Sequence, residues 1–204
     1  MFNLFYISVN QLVALCKDLF SAGSETTSNT LGFATLFMVR YPEIQAKVHE
    51  ELDRVIGRDR IPTLDDKPNL PYMNAVLLEV QRYCNVAAQS MLHRSTQDSE
   101  FRGYFIPKHW GDPENFRPER FLEPGEDGGP MVLKNYSRVI PFGLGRRRCL
   151  GEVLAKTSLY VFFSVISHSL RFTNPKGCPP PPTKGINGFT LGTGPFKAVV
   201  EPRF

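Results

Sequence analysis

Apolar residues occupy most faces of the segment from Gln11 to Tyr41, with Leu12, Leu15, Leu19, Leu31, Ala34, Leu36 and Phe37 spread around a helical circumference. A helix of that kind lies inside a protein rather than on its surface. Ala22, Gly23, Ser24, Glu25, Thr26, Thr27 and Ser28 are poor interior helix formers, so an interruption is expected near its middle. Pro42 suits a first helical position, Ile44, Val48, Leu52, Val55 and Ile56 follow at helical spacing, and Gly57 stands where a C-terminal cap belongs. Glu43, Lys47, Glu50, Glu51 and Arg54 give that helix a solvated face. Thr63 with Asp66 predicts a short capped turn, and Pro71 opens a helix to about Tyr83 with Val76, Val80 and Tyr83 on one stripe. Phe101 to Pro107 reads as a short strand and residues 122–135 as a loop. A last helix follows Cys149 to about Ser169, with Val153, Leu154, Val161, Phe162, Val165 and Ile166 as its apolar stripe; Glu152 near its start and His168 near its end suit the helix dipole. Residues 174–184 form a Pro-rich loop, and Phe196 to Pro202 an edge strand that Pro202 ends. The pattern is mainly α with a small β component, and it shows no internal repeat.

The 204 residues suit one domain, and 42% hydrophobic against 22% charged residues excludes a disordered tail. A net charge of +4 does not argue for nucleic acid, and no nucleic-acid partner is expected. No run reaches the roughly 18 apolar residues that span a bilayer, and residues 1–10 lack the basic start of a secretory signal. The expectation is a soluble globular piece. Cys16, Cys84, Cys149 and Cys178 are far apart and form no C-x-x-C pair, which argues against a disulfide framework or a zinc ribbon and fits a reducing compartment. The histidines form no metal-binding pair, and His49, His109 and His168 are expected to be solvated.

Chemistry concentrates in Phe142-Gly-Leu-Gly-Arg-Arg-Arg-Cys-Leu-Gly151. Cys149 stands just before a helix, in a glycine-rich loop, beside Arg146, Arg147 and Arg148. A helix start and guanidinium groups both favour a thiolate, which is a metal ligand or a nucleophile. Gly145 and Gly151 permit positive φ or the close approach of a flat ligand. Taken alone, the same cysteine also reads as a half-buried structural residue in a basic turn.

The spacing of Phe142, Gly145, Arg147, Cys149 and Gly151 resembles the haem-binding loop of the cytochrome P450 superfamily, the haem-thiolate monooxygenases. Two further segments stand in the order that family requires. Glu79-Val-Gln-Arg82 resembles its E-x-x-R pair, which locks onto an arginine of a later meander, here Arg120 in Phe116-Arg-Pro-Glu-Arg-Phe121. Ala22-Gly-Ser-Glu-Thr-Thr27 resembles its oxygen-activation segment, where Gly23 and Thr26 loosen the helix ladder. The resemblance implies the C-terminal part of the haem-thiolate fold, with haem b (iron protoporphyrin IX) on Cys149. It casts Thr26 as hydrogen-bond partner of dioxygen or water and Glu25 as proton source. His93 and Arg147 would bind haem propionates, with Arg94 as a substitute donor. Phe20, Ala22, Ala87, Ala88, Ser90, Phe189 and Leu191 fall where the family lines its substrate cavity, although each also reads as core packing.

Pro68-Asn-Leu-Pro-Tyr72 and Gly103-Tyr-Phe-Ile-Pro107 resemble phrases of the animal microsomal branch, which oxidises steroids, lipids and xenobiotics. That implies an oxidoreductase at the cytosolic face of the endoplasmic reticulum membrane, fed electrons from NADPH by a flavoprotein reductase. Arg146, Arg148 and Lys156 would form the docking face for that reductase. Against the family pattern, residues 1–204 correspond to the C-terminal part of one haem-binding domain. The N-terminal half, with its membrane anchor, is expected to be absent, so membrane association would run only through it. Lys108 also runs directly into His109-Trp-Gly-Asp-Pro, where the family has an extra strand and turn, as an internal deletion or incomplete gene model would produce. The first helix is then expected to expose an apolar patch, and the chain to aggregate or hold haem weakly. Two rival readings stand beside the enzyme: a non-catalytic haem-binding fragment or truncated isoform, and a mis-assembled product that binds no haem.

Overall fold

The computed structural model describes residues 7–87, 112, 114–126, 129–134 and 136–204. Among the described residues four α-helices carry the fold: α1 (Val9–Arg40), α2 (Pro42–Val55), α3 (Pro71–Cys84) and α4 (Glu152–Ser169). Three two-stranded antiparallel sheets of described residues flank them. β1 (Leu122–Glu123) pairs with β2 (Val132–Leu133), β3 (Leu170–Thr173) with β6 (Val199–Pro202), and β4 (Gly185–Asn187) with β5 (Leu191–Thr193). Among the described residues no helix is long and apolar enough to cross a membrane. The strand expected at 101–107, the junction at Lys108, and His93, Arg94, Ala88, Ser90 and His109 lie outside the described residues.

α1 runs without a break through residues 22–28, contrary to the interruption expected there. The hydroxyls of Ser24, Thr26, Ser28 and Thr30 donate to the carbonyls of Phe20, Ala22, Ser24 and Thr26, one turn back. Side chains that compete with the helix elsewhere are satisfied on the helix itself. The two halves of α1 differ sharply. Thr30, Phe33, Ala34, Leu36, Phe37, Met38 and Val39 are buried against α2, α3, α4, β3 and β5. Val9, Leu12, Val13, Leu15, Leu19 and Phe20 are exposed, forming the apolar patch expected of this segment.

Around the buried half, an aromatic cluster joins distant parts of the chain. Phe37 stacks on Phe116 at 4.1 Å between centroids, Tyr41 on Phe116 at 5.4 Å, and Tyr83 meets Phe37 edge-on at 5.4 Å. Offset-stacked and edge-on rings add to their hydrophobic burial. α2 ends as its sequence indicates, with Gly57 at φ +74, a conformation that favours glycine. Thr63 N donates to Asp66 Oδ2 at 2.8 Å, which makes the capped turn before α3. The region read as a loop at 122–135 carries the short β1–β2 hairpin, because Leu122 packs with Phe121 and Ala75 in a small second core.

Three expectations about faces are overturned. Glu51 is buried rather than solvated: its two carboxylate oxygens accept from Tyr72 N and Met73 N and so cap α3, although burial pushes its carboxyl up. On α4 the buried residues are Leu159, Tyr160, Phe163, Ser164, Ser167 and His168, while Val153, Leu154 and Phe162 are exposed. Its apolar residues encircle the helix, so spacing alone does not pick a face. His49 and His168 are buried, not solvated, because the β3–β6 ribbon closes over α2 and α4. His168 Nε2 donates to Gly57 O at 2.7 Å. Arg203, at the end of that ribbon, donates to the carbonyls of Ser167 and His168 and pairs with Asp53 at 2.7 Å.

Burial, and after it the charges of Arg203 and Arg171, lowers the His49 pKa from 6.5 to about 4. Unfolding exposes an imidazole that binds a proton near pH 6.5, so stability held above that pH is lost as pH falls toward 4. The expected loss is about 3 kcal/mol. Urea denaturation from pH 7.5 to 4 should show this loss reduced in His49→Gln relative to the parent chain. Equal pH profiles for the two chains would contradict it.

Candidate active site

Glu79, on the inner face of α3, is fully buried. Its carboxylate accepts from Arg82 Nε at 2.7 Å and Nη2 at 3.0 Å, from Arg120 Nε at 3.0 Å and from the Arg117 backbone N at 2.8 Å. Arg120 also donates to the carbonyls of Asp112 and Asn115, and Arg82 to Asn115 O. Glu79, Arg82 and Arg120 are therefore brought together by side-chain contact, with Asp112 adding a second carboxylate at 3.2 Å from Arg120. The segment so held continues into Phe121, which packs with Ala75 and Leu122 and against Leu133 and Val139. Those last residues lead into the cysteine loop.

That loop is closed by Cys149 N donating to Phe142 O at 2.9 Å. Gly143 (φ +75) and Gly145 (φ +74) take the left-handed turn that closure requires, whereas Gly151 sits at φ −86 as the residue before α4. Gly151 instead lies against the thiol, since a Cβ there would stand 3.9 Å from Cys149 Sγ. Cys149 is exposed, as are its chain neighbours Leu144, Leu150, Val153 and Leu154 and the side chains of Arg146 and Arg147. Soft sulfur, bare aliphatic surface and guanidinium groups together suit a flat apolar iron macrocycle with carboxylate edges. The expected cluster of Arg146, Arg148 and Lys156 is not three unpaired cations. Arg148 and Lys156 both bind Glu152, whose carboxyl is held below the usual range mainly by the Lys156 hydrogen bond. Lys156 also lies 5.5 Å over the Phe142 ring.

On α1, Thr26 is half-buried and its hydroxyl donates to Ala22 O at 2.8 Å, while Phe20, Ala22 and Glu25 are exposed. A Cβ at Gly23 would meet nothing within 4 Å, so no close approach explains that glycine. Glu25 reaches the β4–β5 hairpin, where Thr190 donates to its Oε1 at 2.6 Å. Phe189 beside it is exposed. Leu191 is half-buried and donates its N–H to Val86 O at 2.8 Å, next to exposed Ala87. The structure thus joins Glu25, the hairpin and the end of α3. Among the described residues no hydrogen bond joins the Cys149 loop to the Thr26 segment. Sequence reading missed the roles of Thr190 and Asn29 at the hairpin, of Asp112 beside Arg120 and of Phe116 on Phe37. The partners of Thr190 and Asn29 lie about 160 residues away along the chain, out of reach of local spacing.

The chain matches the family model described as Cytochrome P450 over residues 6–200. It is similar to farnesoate epoxidase of Bombyx mori, 39% identical over 96% of this chain and 42% of that protein. It is also similar to cytochrome P450 1A2 of Rattus norvegicus, 39% identical over 84% of this chain and 36% of that protein. A solved zebra fish cytochrome P450 with abiraterone superposes with a TM-score of 0.82 at 34% identity, covering 97% of this chain and 50% of that one. The chain spans less than half the length of these curated relatives.

Removing Glu79 would leave two buried guanidinium groups without their shared carboxylate, a change that costs about 3–5 kcal/mol. Lys47 and Glu119 form an exposed pair worth about 1 kcal/mol or less. Glu79→Ala should therefore lower the urea midpoint steeply, and Lys47→Ala should barely move it. Comparable shifts in the two variants would contradict this ordering.

Proposed function

The chain belongs to the cytochrome P450 family, and from that premise we propose that it is the C-terminal part of a haem-binding monooxygenase domain, with Cys149 as the ligand to the iron of haem b. The observation that carries this reading is the exposed Cys149 thiol at the mouth of a closed glycine loop, flanked by bare leucine and valine side chains. When bound, the haem supplies dioxygen activation and transfer of one oxygen atom to an apolar substrate, a steroid, lipid or xenobiotic, the other atom leaving as water with electrons from NADPH.

The protein's own residues supply the rest. Phe142, Gly145 and Gly151 shape the loop so that the sulfur stays presented at the start of α4. Arg147, with His93, pairs with the carboxylates of the macrocycle. The Thr26 hydroxyl, whose proton goes to the Ala22 carbonyl, has lone pairs left to accept a hydrogen bond from water, and Glu25 provides the proton. Phe20, Ala22, Ala87, Phe189 and Leu191 would face the substrate, and the resemblance gives Ala88 and Ser90 the same role. A flavoprotein reductase docks near Arg146, with Glu152 offsetting much of the neighbouring positive charge. From the resemblance of residues 68–72 and 103–107 to the animal microsomal branch, the proposed working site is the cytosolic face of the endoplasmic reticulum membrane.

The exposed first half of α1 favours a second reading, a fragment that ligates haem without turning over, because the apolar wall beside the oxygen segment is open to water. Substrate oxidation by the haem-loaded chain separates the two.

Reduced, haem-reconstituted chain treated with carbon monoxide should show the difference band of a sulfur-ligated ferrous haem, and Cys149→Ala should abolish it. Persistence of the band in Cys149→Ala would overturn the assignment. Thr26→Ala should keep the band and raise hydrogen peroxide released per electron; unchanged coupling would remove Thr26 from its role.

A further inference from the structure

The hydroxyl on the β4–β5 hairpin has only one direction in which to send its proton. Thr190 is 7% exposed. Asn29 Nδ2 donates to Thr190 Oγ1 at 2.8 Å, and Thr190 Oγ1 donates to Glu25 Oε1 at 2.6 Å. An amide NH2 is a donor only, so it takes a lone pair of the hydroxyl and directs the single hydroxyl proton to the carboxylate. The second distance is within the range of an O–H···O hydrogen bond. Glu25 and Asn29 lie one turn apart on α1, so both reach the same hairpin residue.

The backbone is built for this approach. A Cβ at Gly192 would stand 3.5 Å from Asn29 Oδ1, and one at Gly32 would stand 3.5 Å from Thr193 Oγ1. β5 therefore lies close along α1, while Leu191 N is fastened on its other side to Val86 O. Phe189, the residue before Thr190, is 78% exposed and stands at the tip of the same hairpin.

We propose that Thr190, oriented by Asn29, is a positioning residue that fixes the Glu25 carboxylate to the hairpin bearing Phe189, so that the proton-supplying acid and the substrate-facing hairpin move as one unit. The proposal rests on the reading of Glu25 as proton source given above. A ligand pressing on Phe189 is then felt at the carboxylate through the one hydrogen bond from Thr190, without displacement of α1. Thr190 itself touches neither substrate nor haem in this scheme.

The test uses the 204-residue chain labelled with 13C at glutamate carboxyls, the Glu25 resonance being assigned with Glu25→Gln. Thr190→Val should shift that resonance at neutral pH and speed amide exchange at Leu191 roughly ten-fold. Thr190→Ser should restore both. Asn29→Leu, which removes the orienting donor and leaves the hydroxyl, gives an independent route if Thr190→Val does not fold, and it should shift the same resonance. In the haem-loaded chain Thr190→Val should raise peroxide per electron while the sulfur-ligated spectrum stays. A Glu25 resonance unmoved by both Thr190→Val and Asn29→Leu overturns the link. A moved resonance with unchanged peroxide yield overturns the positioning role. A parent chain without any sulfur-ligated haem signature overturns the proposed function, while the carboxyl shift still supports the link.

Discussion

One buried carboxylate sets the geometry on which the candidate site stands. Glu79 is withdrawn from water completely, and an ionised carboxylate in such surroundings is tolerated only when its oxygens are well supplied with donors. Two arginines and a backbone amide meet that demand. Because Arg120 and Arg117 belong to a different segment from Glu79 and Arg82, satisfying the charge also fixes that segment against α3. Phe116 then seats on Phe37 of α1, and Phe121 enters the small core with Ala75. Leu133 and Val139 pack on this small core, so the chain enters the cysteine loop from a fixed point.

The cysteine loop and the β4–β5 hairpin are chemically distinct, and the proposed site has them as its two walls. Around Cys149 the surface is soft, apolar and basic, with much of the positive charge already paired to Glu152. Around Glu25 it is a chain of neutral donors ending in a carboxylate. A prosthetic group that needs a sulfur ligand on one side and a proton supply on the other finds both in the proposed arrangement. The haem would carry the reaction, and the polypeptide its orientation and its protons.

Much of the fold was legible in advance because helices announce themselves locally. Pro42 and Pro71 open α2 and α3, Gly57 closes α2, and the 44/48/52 and 76/80 stripes are buried as their spacing requires. What the sequence hid depends on tertiary partners. The Ser and Thr residues of α1 looked like breakers, yet they bond to their own helix, a choice that propensity does not report. His49 and His168 looked polar enough for solvent until the β3–β6 ribbon, over 100 residues from His49, covered them. α4 is apolar all round, so its buried face is decided by its neighbours. For the candidate site, the contacts of Glu79 with Arg82 and Arg120 are those the family resemblance implied, whereas the closure of the cysteine loop by Cys149 N on Phe142 O was not read from the sequence. Thr190 and Asn29 gave no signal, because ordinary polar residues acquire meaning only when the hairpin lies on α1.

In the proposed site the sulfur of Cys149 is bonded to iron. X-ray absorption at the iron edge of the haem-loaded chain measures the ligand shell directly. Ligation by Cys149 predicts one sulfur scatterer at bonding distance in addition to the four porphyrin nitrogens. A shell made of nitrogen and oxygen alone would contradict it.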